Sequence, residues 1–270
     1  MTFSSARLAK YIRDFLYFGC KQAYACIFGG ALLFGIIATK LYWPDDLPFS
    51  RYDFLFFYAL LIQGLLLAFK LETWEEAKVI FAFHIIGTIM EIFKTHVGSW
   101  TYPEENLIRI AGVPLFSGFM YSAVGSYLAR VWKIFNFRFE HYPLKIWTVL
   151  LCVLIYVNFF THHYIIDIRY ALFAACAYLY WRTKIYFTPL RSTYNMPLLL
   201  GFFLVSIFIW LAENLGTFGA IWVYPSQQAS WHIVPLSKLG SWYLLMIISF
   251  VLVTILHKDK SLKGQKNPNA

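Results

Sequence analysis

Residues 91–103 read EIFKTHVGSWTYP, and residues 213–225 read ENLGTFGAIWVYP. Glu, Thr, Trp, Tyr and Pro recur in the same order at an offset of 122 residues: Glu91/Glu213, Thr95/Thr217, Trp100/Trp222, Tyr102/Tyr224 and Pro103/Pro225. Ten residues beyond the first Pro and nine beyond the second the likeness resumes, with Val113-Pro114-Leu115 matching Val234-Pro235-Leu236 at an offset of 121. Fixed-offset self-similarity is the mark of a duplicated unit. This pair of hooks predicts two halves, residues 1–135 and 136–260, followed by a polar tail at 261–270.

The composition says what kind of halves they are. Of 270 residues, 60% are hydrophobic, 21% aromatic and only 14% charged, with a mean hydropathy of +0.58. A water-soluble domain carries about 25% charged residues. The expected fold is therefore all-α, a polytopic transmembrane helix bundle of about eight helices, since a span needs ~20 apolar residues. Eight apolar runs can be marked, near 16–38, 52–69, 77–93, 107–131, 144–161, 164–181, 197–215 and 234–256. The first follows Arg7, Lys10 and Arg13 and continues without a small-residue cleavage site, which predicts a first membrane helix instead of a cleaved leader.

The charge balance is basic, 23 Lys+Arg against 14 Asp+Glu. The excess gathers in alternate connections: Arg7, Lys10 and Arg13; Lys70 and Lys78; Arg130, Lys133, Arg138 and Lys145; Arg182, Lys184 and Arg191; Lys258, Lys260, Lys263 and Lys266. Positive loops face the cytoplasm, so both termini are expected there and both hooks on the opposite face. Basic charge distributed in this way orients a membrane protein and does not predict a nucleic-acid partner. An even number of crossings per half makes the repeats parallel, related by an axis along the membrane normal.

Helical spacing sharpens the hooks into candidate sites. His84, Thr88, Glu91 and Thr95 fall at i, i+4, i+7 and i+11, one face of a helix. The matched positions are Ser206, Trp210, Glu213 and Thr217. An acid in a membrane helix costs about 2.5–3.5 kcal/mol on insertion scales, and its presence is a functional hypothesis. Glu91 and Glu213 are the candidate proton donors. His84, Thr95, Trp100, Tyr102, Thr217, Trp222 and Tyr224 are the candidate substrate-binding residues. Two uses suit these groups: chemistry on a bound molecule, or fastening of backbone where each helix unwinds, with Trp and Tyr as interface anchors. Cys20, Cys26, Cys152 and Cys176 lie in apolar runs and form no CxxC pair. The adjacent His162 and His163 make poor metal geometry. No Walker loop, dinucleotide fingerprint, GxSxG or HExxH occurs, so no cofactor or metal is expected.

The stretches FLYFGCKQAYACIFGGALL (15–33), MEIFKTHVGSWTYPE (90–104) and GVPLFSGFMYSAVGSYLARVWKIFNF (112–137) resemble the YoaT-like bacterial integral membrane proteins, a family of unknown function. The resemblance implies a place in the bacterial inner membrane and no activity. The Glu-x3-Thr-x2-Gly-x-Trp-x-Tyr pattern followed by Gly-Val-Pro is also similar in style to membrane carotenoid cyclases and hydratases. That likeness implies an intramembrane acid, Glu91 or Glu213, protonating a polyene end within an aromatic pocket. The cyclases' Pro-x-Glu-Glu run is absent, since Pro114 is followed by Leu-Phe-Ser and Pro235 by Leu-Ser-Lys. Binding or acid-catalysed modification of an apolar, isoprenoid-like lipid is one expected function. A small-solute or proton-coupled transporter and a non-catalytic membrane scaffold are the alternatives. The expected partners are membrane lipid and an apolar small molecule; the sequence assigns no oligomeric state.

Overall fold

A computed structural model describes residues 5–44 and 46–256. The tail at 261–270 and its lysines lie outside the described residues. Nine helices are described: α1 (Ser5–Ala25), α2 (Ile27–Tyr42), α3 (Arg51–Ala68), α4 (Trp74–His96), α5 (Ser117–Ile134), α6 (Lys145–Thr161), α7 (Arg169–Tyr180), α8 (Leu198–Phe218) and α9 (Ser237–Leu256). Five short strands join them: β1 (Arg109–Ile110), β2 (Val113–Pro114), β3 (Arg138–Glu140), β4 (Lys184–Phe187) and β5 (Tyr194–Pro197). Helices α3, α8 and α9 are each long and apolar enough to cross a membrane, and α1 with α2 makes a fourth if the bent pair is one span.

The expected single helix at 16–38 is broken: α1 and α2 meet at Cys26 with a bend of 66°. Charged residues hold α1 where it is. Asp14 Oδ2 accepts from Tyr194 Oη at 2.8 Å, and Lys21 Nζ donates to the carbonyls of Ile134 and Thr188 at 2.8 and 3.1 Å. Only from residue 27 onward does the chain lack such anchors and continue as an apolar helix.

The run at 107–131 is also corrected. Its first ten residues form no helix; β1 and β2 pair as an antiparallel hairpin. Ala111 and Gly112, at φ +50° and +79°, supply the two left-handed positions of a tight turn. The Asp53 carboxylate fastens the hairpin by accepting from the amides of Leu107 and Ile108, each at 2.9 Å. The run at 164–181 shortens to α7, because Asp167 and Asn158 occupy the preceding amides: Arg169 N donates to Asp167 Oδ1 and Ile168 N to Asn158 Oδ1. At twelve residues α7 is ~18 Å long.

Hydrogen bonds assign each connection to one end of the bundle. At one end, Thr101 and Val223 exchange backbone bonds of 3.0 and 2.9 Å. Arg51, at the start of α3, is ion-paired with Glu104 and donates to the carbonyls of Gly219 and Ala220. Lys94 Nζ reaches the Phe159 carbonyl at 2.9 Å. At the other end, β3, β4 and β5 form an antiparallel sheet from two separate connections. There Glu72 accepts from Arg130 Nη2 at 2.7 Å and from Ser126 Oγ at 3.0 Å. Arg130, counted from sequence among the loop charges, and Glu72 are buried with side chains 1% and 0% exposed.

Core packing crosses residue 135. One cluster joins Val79, Phe83, Leu128 and Trp132 to Leu172, Phe202, Met246 and Phe250. A second packs Ile221, Trp222 and Tyr224 against Phe28, Tyr52 and Phe116. The two sequence halves are interleaved and share their apolar interior.

Candidate functional site

The helices bearing the two acids end in the same way. At the end of α4, Ser99 N donates to Lys94 O and Gly98 N to Thr95 O; at the end of α8, Ile221 N donates to Gly216 O and Ala220 N to Thr217 O. Each donor and acceptor is displaced by 122 residues. The paired bonds form a Schellman closure, which requires a left-handed residue. Gly98 supplies it at φ +72° and Ala220 at φ +53°. Gly219, next to Ala220, has an ordinary φ of −66°.

Both acids are buried, Glu91 at 3% exposure and Glu213 at 4%. Glu91 Oε2 accepts from Trp100 Nε1 at 2.7 Å and Tyr102 Oη at 2.6 Å, and its Oε1 accepts from Tyr121 Oη at 2.7 Å. Glu213 Oε1 accepts from Tyr224 Oη at 2.5 Å and its Oε2 from Trp242 Nε1 at 2.8 Å. Burial, then the Glu91 charge, raises the Tyr102 phenol well above its ordinary range; burial, then the Glu213 charge, does the same to Tyr224. Both phenols therefore remain protonated donors at neutral pH.

The hooks bring these two cages together. Trp100, a partner of Glu91, meets the Tyr224 ring edge-on at a centroid separation of 5.9 Å. The Thr101–Val223 bridge pairs a residue with its own match across the 122-residue offset. Lys238 lies over the rings of Tyr224 and Trp100 at 4.3 and 5.7 Å. Two glycines make room for the aromatics: a Cβ on Gly87 would lie 2.5 Å from the Tyr121 ring, and one on Gly216 equally close to Trp222.

Other members of the expected stripes stay apart from the acids. The His84 ring packs on Phe119 at 4.3 Å, and its buried Nδ1 has no hydrogen-bond partner. Thr95 Oγ1 is likewise buried without a partner. Thr217 bonds its own helix and accepts from Trp231 Nε1. Trp222 packs against Gly216, and Trp242 takes the place on Glu213 that Trp100 takes on Glu91. Tyr121, Trp242 and Lys238 were missed in the sequence. The first two were within reach: they stand 121 residues apart, each seven residues after the Pro of a Val-Pro-Leu.

Beside Tyr121 and Trp242 lies a cavity of about 30 Å³, lined by α4, α5, α8 and α9 residues including Phe83, Met90, Ile209 and Met246. It has room for about one water molecule.

These features define a mostly helical, membrane-associated protein with two hydrogen-bonded buried carboxylates. Residues 14–250 match the family described as "Protein of unknown function (DUF817)", and the chain belongs to that family. It is 42% identical over 256 residues to "Uncharacterized protein YoaT" of Bacillus subtilis (strain 168), covering 94% of this chain and 96% of that one. No solved structure matches. Neither description attaches carotenoid chemistry to the family.

Proposed function

We propose that the chain crosses the membrane eight times as two parallel four-helix repeats, 1–135 and 136–260, with both termini cytoplasmic, and acts as a proton-coupled carrier of a small solute. The observation that carries this reading is the seam: two repeat-matched carboxylates, each in an aromatic cage, meet through a bridge between matched residues. Carriers built from repeats hold their coupling sites between the repeats and move one repeat against the other. An interior carboxyl that can gain or lose a proton is the usual coupling group. The short α7 is followed by β4, which on this reading lies at the cytoplasmic face, where its backbone pairs with β3 and β5.

Modification of an isoprenoid-like lipid is supported less well. The space beside the acids is about 30 Å³, which leaves a polyene end no bed. The solute is admitted only when the repeats part, as an occluded carrier requires.

The test uses purified protein in proteoliposomes loaded with a pH-sensitive dye. Acetate, lactate, alanine, glucose and choline are added in turn. Wild-type vesicles show proton flux with one solute class, and Glu91→Gln and Glu213→Gln each reduce it at least tenfold. Absence of any such flux, with cell isoprenoid lipids altered by the wild type and restored by both Gln variants, would establish the lipid reading instead.

A further inference from the structure

The two cages differ in one respect. Lys238 stands beside the Glu213 cage, and its match at an offset of 121 is Ser117. Ser117 Oγ is buried beside Tyr102. Lys238 Nζ makes no ion pair among the described residues; it faces the Tyr224 and Trp100 rings and lies within electrostatic range of Glu213. Lys238 is partly exposed, at the hook end of the bundle.

Other titratable groups surround Lys238 at this end. Lys94 of α4 is buried, and Nζ donates to the Phe159 carbonyl and lies 2.8 Å from His163 Nε2. Because an ammonium has only donors, that imidazole accepts as the neutral ring. Lys238 and Arg169 both act electrostatically on Lys94. Asp167 is held by Arg169 and Asn158, and Glu213 is the acid that acts electrostatically on Lys238. His162 bonds the Asn158 carbonyl, and the Glu91 carboxyl is enclosed by its own three donors. Tyr121 and Trp242 complete the surroundings as neutral groups.

From the Lys238 ammonium lying over two aromatic rings and making no ion pair among the described residues, we infer that Lys238 is the recognition point for a small organic carboxylate entering from the hook side. The inference rests on the carrier reading and names its substrate class. The aromatic faces suit a carbon skeleton, and the ammonium suits a carboxylate as a point charge. In the empty protein the Lys238 cation is balanced by the Glu213 anion. When the carboxylate takes the cation, Glu213 binds one proton from water and becomes the neutral acid. The loaded site gains one anion and one proton, so the step is electroneutral. No covalent bond forms or breaks except the O–H bond of Glu213.

Linkage fixes the sign. The bound state holds one more proton, so affinity weakens as pH rises, by up to about tenfold per unit. Acetate, lactate and succinate are titrated against the full-length protein in nanodiscs. Tryptophan fluorescence reports binding, and an indicator in weak buffer reports protons. At least one carboxylate is expected to bind with uptake of about one proton. Lys238→Gln weakens it at least tenfold, and Lys238→Arg retains it. Glu213→Gln retains binding and removes its pH dependence, whereas Glu91→Gln leaves that dependence in place. The inference is overturned if no carboxylate binds while the same preparation carries another solute with protons. Binding of inorganic phosphate alone overturns it, as does affinity unchanged in Lys238→Gln. Carboxylate binding by a protein that carries nothing across vesicles keeps the subsite and removes the carrier.

Discussion

Glu91 shows what the sequence discloses about single residues. The repeated Glu, Trp and Tyr mark the site because three polar residue types recur at one offset within apolar sequence. The third donor of Glu91, Tyr121, comes from another helix, and a one-residue deletion between hook and helix changes the offset to 121 and hides its match with Trp242. His84 fails for the opposite reason: it shares the helical face of Glu91 but stands two turns away, ~10 Å along the axis, and packs on Phe119. Removing one donor leaves an acceptor partly unsatisfied, at a cost of about 1–3 kcal/mol. Tyr121→Phe and Tyr102→Phe are each expected to destabilise by that amount in chemical denaturation in detergent. Their double mutant should fall short of the sum, because both serve one carboxyl group. Additive losses would show that the two phenols act independently.

Among elements, apolar runs give the positions of α3, α6, α8 and α9 to within a few residues, since little else competes for those segments. Their ends and breaks are set by contacts from far along the chain. Asp53 folds 107–110 away from helix, and Tyr194 and two distant carbonyls hold α1 at an angle to α2. Ala220 is a point of local strain, at φ +53°. A left-handed residue with a Cβ costs roughly 1–2 kcal/mol, and Gly relieves it. Ala220→Gly should therefore raise the midpoint of thermal unfolding, by up to about 1 kcal/mol of stability net of the extra freedom of the unfolded chain. A lowered midpoint would show that the alanine methyl is needed in packing. The buried Arg130–Glu72 pair carries the opposite expectation. Glu72→Gln leaves the guanidinium without its counter-charge and should cost about 3–5 kcal/mol, read in the same melts.

For the whole molecule, the described connections divide between two ends of the bundle: the two hooks meet at one, and β3 meets β4 and β5 at the other. Three cations near helix ends are interior. Arg130, Arg51 and Lys94 are buried and bonded, which a count of loop charges does not reveal. The proposed topology puts Ser226, exposed in the second hook, outside the cell. Ser226→Cys, with the four native cysteines replaced, should react with an impermeant maleimide in intact cells. Reaction only after the membrane is opened would invert the topology.

The claim that the seam between the hooks opens during carriage can be met directly. Thr101 and Val223 form a hydrogen-bonded antiparallel pair, whose Cα atoms stand ~5.5 Å apart, within disulfide reach. A Thr101→Cys, Val223→Cys protein, also free of native cysteines, is reconstituted and tested for solute-coupled proton flux, oxidised and then reduced. The carrier account predicts flux that disappears on oxidation and returns on reduction. Full flux through the fully cross-linked protein would contradict it.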